Sequence, residues 1–278
     1  MVRKNEWYLN KVAVVTGAAS GLGRSMTLAL TRRGAFVHMV DIDAGGLGRV
    51  ASEAGAIGGE VWTHEVDCSD EAAVLSLADE VYERHGHVDL LINNAGVVEG
   101  GPSDRISLDL FRHSFDVNVW GVIHGIHAFL PRMLKQDGRA NVVNVASIAG
   151  LMGIPYMAPY CASKAAVVGL TESLAAELDR RKIQVTLVCP GAVRTPVMRH
   201  GHVELPGNWT ERVTRLMERL GEDPDRVAVR ILEAARAGQE MLVVAGGGLA
   251  PLWWMKRLSL HAYHGVARAI GIPGRQGR

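Results

Sequence analysis

A glycine-rich turn near the amino terminus is the first stretch of the chain whose residue types and spacing suggest chemistry. Gly17, Gly21 and Gly23 follow a β-branched run at residues 11–16 and open a helical segment that extends to about residue 33. Glycines there let the backbone approach a pyrophosphate, and the first N–H groups and the positive dipole end of the helix attract the anion. Because a glycine turn between a strand and a helix can also be purely structural, the pattern needs a second signal.

The second signal is an acid at the end of the next predicted strand, residues 35–40. Asp41 lies 24 residues after Gly17, where a carboxylate would accept hydrogen bonds from the hydroxyls of an adenosine ribose. A carboxylate there would also repel a 2′-phosphate, no Lys or Arg stands beside it in residues 40–43, and position 20 is a serine. Together the two signals predict a dinucleotide site that prefers NAD to NADP.

The elements that position these residues alternate between strand-like and helix-like segments. Seven strands alternating with helices predict a single doubly wound, Rossmann-type α/β domain, with a mostly parallel sheet covered by helices on both faces. The strands are predicted at residues 11–16, 35–40, 60–66, 88–92, 141–145, 183–188 and 241–245, and the helices at 43–56, from a cap at Ser69, at 107–135, 160–180 and 223–237.

Two segments depart from this alternation. Residues 192–221 are polar and carry Pro196 and Pro206, and so long an excursion in a compact domain predicts a lid over the substrate. Residues 247–278, with Trp253, Trp254 and Tyr263, predict an apolar extension that packs on the catalytic domain of residues 1–246 or on a partner subunit.

Composition excludes several classes of function. The 278 residues carry a formal net charge of +1, which predicts no nucleic acid as partner. Three dispersed cysteines and the absence of an apolar leader predict a reduced, cytoplasmic protein. No run reaches the roughly 18 apolar residues of a membrane helix, and the histidine pairs lack a third ligand, so no metal site is predicted.

Further motifs follow the glycine turn in a fixed order. With the spacing Gly17-x3-Gly21-x-Gly23, they resemble the short-chain dehydrogenase/reductase family from residue 11 to about residue 246. The motifs are Asn93-Asn94-Ala95-Gly96, Asn118 within residues 116–119, Ser147, Tyr160-x3-Lys164, and Pro190-Gly191 with Thr195 beyond it.

The resemblance implies roles for these residues and an assembly of two or four subunits through the long helices that contain Asn118 and Tyr160. It implies Asn118, Ser147, Tyr160 and Lys164 as the catalytic set. It implies an NAD site formed by Gly17, Ser20, Gly21, Leu22, Gly23, Asp41, Asp67, Asn94, Ala95, Gly96, Tyr160, Lys164, Pro190, Gly191 and Thr195.

The implied chemistry is hydride transfer between a nicotinamide ring and a secondary alcohol or ketone, with a proton moved at the same carbon's oxygen. A free tyrosine, with a pKa near ~10, is a poor base. Lys164 lies at i+4 from Tyr160, so its ammonium is expected to lower the pKa of that hydroxyl. Ser147 would hold the substrate oxygen, and Asn118 would hold a water linking Lys164 to solvent.

The substrate is expected to be apolar, because the residues that flank the catalytic set are apolar. His200 and His202, in the predicted lid, are expected to contact it. The other interpretations are imine or C=C reduction on the same scaffold, a non-catalytic protein that senses NAD, and a scaffold whose tail contacts a membrane surface. The flanking apolar residues are Val97, Val98, Leu151, Met152, Ile154, Met157, Val197 and Met198.

Overall fold

Nine strands account for the sheets in the described part of the chain. The computed structural model describes residues 7–197, 201–205, 209–244 and 249–269. The strands are β1 (Val12–Thr16), β2 (Phe36–Asp41), β3 (Val61–Glu65), β4 (Leu90–Asn93), β5 (Glu99–Gly100), β6 (Ala140–Val145), β7 (Ile183–Pro190), β8 (His202–Val203) and β9 (Met241–Val244).

The helices lie between these strands and after the last of them. They are α1 (Gly21–Thr31), α2 (Ala44–Ala56), α3 (Glu71–His85), α4 (Leu108–Phe115), α5 (Gly121–Lys135), α6 (Ile148–Leu151), α7 (Ala158–Glu177), α8 (Trp209–Leu220), α9 (Pro224–Ala237), α10 (Leu249–Leu258) and α11 (Leu260–Ala269).

Seven strands form one parallel sheet, in the order β3-β2-β1-β4-β6-β7-β9. The order reverses at β1, whose two neighbours are β2 and β4, so the crevice for a ligand lies beyond the carboxyl ends of these strands. Helices cover both faces, as the two buried apolar clusters show. This confirms the predicted doubly wound fold, and we call the edge formed by the carboxyl ends the carboxyl edge.

The core explains why the central strands are almost continuously apolar. One face of the sheet packs against α1 and α9 through residues such as Met26, Leu30 and Ile231. The other face packs against α3 and α5 through residues such as Leu77 and Phe129. Strands buried on both faces cannot alternate apolar with polar residues, and all eight residues of β7 are buried.

The predicted helical region at residues 107–135 is helical from Leu108 to Lys135, but it changes its hydrogen-bond pattern once. A π-helical turn, Asp116–Trp120, separates α4 from α5, and the N–H of Gly121 donates to the carbonyl of Asp116. The predicted cap at Ser69 is wrong by one residue, because Asp70 accepts from the N–H of Ala73 and so caps α3.

The segment predicted as a lid contains regular structure. Strand β8 pairs in parallel with β5, with Glu99 opposite His202, and α8 follows it. Beyond β9, α10 and α11 pack on the region around α6. No helix among the described residues is both long and apolar enough to span a bilayer.

Candidate active site

The glycine-rich turn leaves the start of α1 open to an anion. Ser20, the N-cap residue, makes no side-chain hydrogen bond to the helix, so the first N–H groups have no side-chain cap. Gly17 has a φ of +66°, a conformation that favours glycine. A Cβ on Gly23 would lie 1.9 Å from the carbonyl oxygen of Gly17, so only glycine lets the helix start this close to the turn.

Asp41 lies at the end of β2 and ties that strand to the turn. One carboxylate oxygen accepts from the N–H of Ala19 at 3.0 Å, and the other accepts from the N–H of Asp43 at 3.0 Å. Each carboxylate oxygen has a second lone pair that can accept from a ligand hydroxyl. Arg49, the basic side chain that reaches Asp43, is already ion-paired with that carboxylate at 3.4 Å.

Thr16 joins the glycine turn to the segment that follows β4. Its hydroxyl accepts from the backbone N–H groups of Asn94 and Ala95, both at 2.9 Å. The side-chain amide of Asn94 donates in return to the carbonyl of Thr16 at 2.9 Å and to that of Gly17 at 3.3 Å. The backbone on this side of the expected dinucleotide site is therefore fixed by the protein itself.

Asn118 lies in the π-helical turn and is fully buried. Its amide oxygen accepts from the N–H of Val97 at 2.8 Å, and its amide nitrogen donates to the carbonyl of Val97 at 3.0 Å and to the hydroxyl of Ser163 at 2.9 Å. The Ser163 hydroxyl donates to the carbonyl of Tyr160 at 2.9 Å. The side chain of Asn118 thus connects the segment after β4 to the helix that carries Tyr160 and Lys164.

Lys164 is almost fully buried and converges with Asn118 on Gly96. A Cβ on Gly96 would lie 2.7 Å from the amide oxygen of Asn118 and 3.1 Å from the Nζ of Lys164. The ammonium donates to the carbonyl of Val145 at 3.0 Å. Burial lowers the pKa of Lys164 to about 8, so this group gains and loses a proton close to neutral pH.

The hydroxyls of Ser147 and Tyr160 interact at the same edge of the sheet. Burial raises the pKa of Tyr160, and a hydrogen bond with Ser147 opposes that shift. In the protein by itself, burial of the phenol has the largest influence on this pKa, and its direction is opposite to the lowering expected from the Lys164 ammonium. Ser147 also accepts from the N–H of Ala149 at 3.1 Å, which fixes its side chain.

Four other predicted positions lie along the carboxyl edge. The carboxylate of Asp67, at the end of β3, accepts from the N–H and the hydroxyl of Ser69. Pro190 ends β7, and Gly191 continues from it by donating to the carbonyl of Val244 at 2.6 Å. A Cβ on Gly21 would lie 3.2 Å from the side chain of Thr195, so that threonine lies over the glycine turn.

Some of the residues predicted to contact the substrate do not lie at this edge. Met152 is 4% exposed and packs beneath the tail, beside Tyr263. His202 is exposed on β8, near Glu204 at 3.7 Å. His200 and Met198 lie outside the described residues.

Two side chains that hydrogen-bond to the candidate site were missed from the sequence. Thr16 has the appearance of an ordinary β-branched strand residue, and no local sequence pattern indicates that its hydroxyl accepts hydrogen bonds from the segment after β4. Ser163 precedes Lys164 directly, and its position three residues after Tyr160 on one helix was the available signal.

Comparison with known proteins agrees with this geometry. The family model for the short chain dehydrogenases matches residues 11–203. The chain is 35% identical over 238 residues to the putative oxidoreductase SadH of Mycobacterium tuberculosis, covering 84% of this chain and 86% of that protein. It is 41% identical over 189 residues to the 1-deoxy-11-beta-hydroxypentalenate dehydrogenase of Streptomyces avermitilis, covering 67% and 70%.

A solved structure gives the same result. The short-chain dehydrogenase/reductase from Burkholderia phymatum, crystallised in complex with NAD, superposes with a TM-score of 0.86 at 32% identity, covering 92% of this chain and 95% of that one. The match of the family model to well over half of the chain confirms the resemblance seen in the motifs. The chain therefore belongs to the short-chain dehydrogenase/reductase family, whose members are nicotinamide-dependent oxidoreductases acting on hydroxyl and carbonyl groups.

Proposed function

We propose that this protein is an NAD(H)-dependent dehydrogenase/reductase that interconverts an apolar secondary alcohol and its ketone. The observation that carries the proposal is the convergence of Lys164 and Asn118 on Gly96, with Ser147 and Tyr160 at the same edge of the sheet. The bound nicotinamide cofactor would supply or accept the hydride.

The turn and the acid at the end of β2 support NAD as that cofactor. The open start of α1 and the positive φ of Gly17 fit a pyrophosphate. Asp41 would accept from the adenosine ribose with its remaining lone pairs, and its charge would repel a 2′-phosphate. Because Arg49 is paired with Asp43, it does not offset that repulsion. A relative crystallised with NAD supports the same choice.

The acid–base step follows from the pKa directions. Burial keeps Tyr160 protonated, which suits it to donate to the oxygen of a ketone while Ser147 holds that oxygen. Lys164, with its pKa lowered to about 8, can pass a proton onward near neutral pH. Asn118 positions Lys164 and Tyr160 through Ser163 and Val97. In the direction of alcohol oxidation the same residues would act in reverse order.

An apolar substrate is supported by the side chains of residues that adjoin the catalytic set. Arg194 is ion-paired with Asp223 at 2.8 Å, and Val97, Ile154 and Val197 are apolar. One relative, the 1-deoxy-11-beta-hydroxypentalenate dehydrogenase, acts by its name on a substrate that carries a hydroxyl group. Residues 192–221 are proposed to cover this substrate, and the pairing of β8 with β5 ties residues 202–203 of this segment to the domain.

We propose a homodimer or homotetramer as the assembly, located in the cytoplasm. Trp120 and Leu134 are exposed large apolar side chains on the π turn and on α5. Exposed apolar side chains on these two elements are proposed to contact another subunit.

The experiment that tests the function compares NADH and NADPH binding by nicotinamide fluorescence, in the wild type and in Asp41→Ala. Tighter NADH binding that weakens in the variant, while NADPH binding does not, supports both the site and the preference. Turnover of a panel of secondary alcohols with NAD follows, with Tyr160→Phe as the inactive variant. Tyr82→Phe is the control, since its hydroxyl donates to Phe129 away from the site. Absence of binding for both nucleotides would refute the proposal.

A further inference from the structure

The tail helices α10 and α11 contact one particular part of the catalytic domain. Tyr263 is almost fully buried in a cluster with Ile148 and Met152, against which Leu252 and Trp253 also pack. These partners belong to α6 and the residue after it, which begin one residue after Ser147. The tail therefore packs on the segment that joins the two hydroxyls of the proposed active site.

Two hydrogen bonds fix the tail to the backbone of this segment. The ammonium of Lys256 donates to the carbonyl of Leu151 at 2.6 Å, and the hydroxyl of Tyr263 donates to the carbonyl of Gly153. Leu151 ends a helix of only four residues, whose last carbonyls have no partner within the helix. A cation at the end of a helix also interacts favourably with its dipole. The tail thus satisfies acceptors that the segment cannot satisfy by itself.

The held segment is also tied to the domain by the N–H of Gly101, which donates to the carbonyl of Tyr156 at 2.7 Å, but the middle of the segment is exposed. Gly153, Ile154 and Pro155 are exposed, and Tyr156 has a φ of +65°, a strained value for a residue with a side chain. The N–H of Ile154 donates only to the thiol of Cys161 at 3.3 Å, a weak acceptor. Cys161 is the neighbour of Tyr160 and lies within electrostatic range of both Lys256 and Tyr263.

We propose that α10 and α11 clamp residues 148–157, and that this clamp selects which alcohols reach Ser147 and Tyr160. Lys256 and Tyr263 are positioning residues, because they act on the backbone of the segment and not on the substrate. The role in selecting alcohols rests on the proposed function, whereas the clamping of residues 148–157 can be measured without turnover.

The test uses the full-length double variant Lys256→Met with Tyr263→Phe, which removes both hydrogen bonds and keeps the apolar packing. The matched control is Lys182→Met with Tyr82→Phe. Lys182 donates to the carbonyl of Gln136, and Tyr82 donates to that of Phe129, so the control loses the same two kinds of bond elsewhere.

The first readout is hydrogen–deuterium exchange followed by mass spectrometry. In the double variant, amides of residues 148–157 should exchange about tenfold faster, as expected when a local segment loses two stabilising bonds. Amides of the glycine turn, residues 17–23, should exchange as in the wild type. Unchanged exchange of residues 148–157 would overturn the clamp, and faster exchange across the whole chain would show a general loss of stability instead, which also counts against it.

The second readout is the ratio of kcat/KM for a bulky and for a small secondary alcohol. The double variant should change this ratio by about fivefold or more, with NADH affinity unchanged, since a misplaced wall affects large substrates most. A ratio equal to that of the control would overturn the role in selection, even if exchange becomes faster. If the wild type binds no nucleotide and turns over no alcohol, the proposed function and the selection role both fail. In that case the hydrogen–deuterium exchange result alone decides whether the tail clamps residues 148–157.

Discussion

Replacing Gly23 by alanine tests whether the glycine turn is shaped to hold a dinucleotide. The new Cβ would lie 1.9 Å from the carbonyl oxygen of Gly17, 2.7 Å from its carbonyl carbon and 2.8 Å from the amide nitrogen of Asn94. The nearest atoms are backbone, so no side-chain rotation relieves the contact. The turn and the start of α1 must separate by about 1.1 Å, from 1.9 to 3.0 Å, and the turn loses the geometry that suits a pyrophosphate.

The magnitude follows from the energy of such overpacking. Forcing an extra methyl group into a packed site costs about 1–3 kcal/mol. If binding requires the original turn, that energy is lost from the affinity, and the dissociation constant for NADH should rise by about 5- to 150-fold. Fluorescence titration with NADH measures this directly, and thermal melting of the same samples separates weaker binding from loss of folded protein.

Gly48→Ala is the matched control for this substitution. Gly48 lies in α2 with no atom within 4 Å of its would-be Cβ, so alanine fits. Alanine is favoured over glycine inside a helix by about 1 kcal/mol, so this variant should melt higher and bind NADH as the wild type does. If Gly23→Ala binds NADH as tightly as Gly48→Ala does, the assignment of the turn to the pyrophosphate is refuted.

Three further predictions concern catalysis, packing and acid stability. Tyr160→Phe should lower kcat by about 10²- to 10⁴-fold and leave NADH binding intact; an active variant would remove Tyr160 from the acid–base step. Asn118→Ala removes the partners of the partly buried N–H and C=O of Val97, so the free energy of unfolding in urea should fall by about 1–3 kcal/mol, and an unchanged urea midpoint would contradict this. Burial lowers the pKa of His38 to about 3, so the native protein keeps this ring neutral. The stabilising contribution of the neutral ring is complete above the pKa of histidine in the unfolded chain, near 6.5. It is lost as the pH falls toward 3, by up to about 1.4 kcal/mol per pH unit. The melting temperature should therefore fall less steeply between pH 7.5 and 5 in His38→Phe than in the wild type.

The parts of the fold predicted from the sequence are those set by local pattern. The central strands β1, β4, β6 and β7 are buried on both faces, so each is a short and mostly apolar run between polar or glycine-rich segments. The glycine turn and Asp41 are recognisable because each occupies a defined place relative to a strand end. The ordered motifs then identified the family, which the comparisons confirm.

The parts that were missed depend on contacts distant in sequence. Strands β5 and β8 have two residues each and pair across about a hundred positions, so neither carries a periodic pattern. The helix at 209–220 follows Pro206 and Gly207, whose composition suggested a loop. The raised pKa of Tyr160 depends on how deeply the phenol is buried, which no spacing of residues expresses.

The π-helical turn has a consequence for how this protein can change during evolution. Its closing bond, from Gly121 to Asp116, spans one residue more than that of an α-helix. Deleting a single residue within the turn would restore a regular helix and rotate everything on one side of it by about 100° relative to the other. Either Asn118 would then lose its hydrogen bonds to Val97 and Ser163, or the buried face of α5 would rotate away from the sheet. Insertions and deletions should therefore be tolerated in the segment after β8 but not between residues 108 and 135, where chain length is as constrained as residue identity.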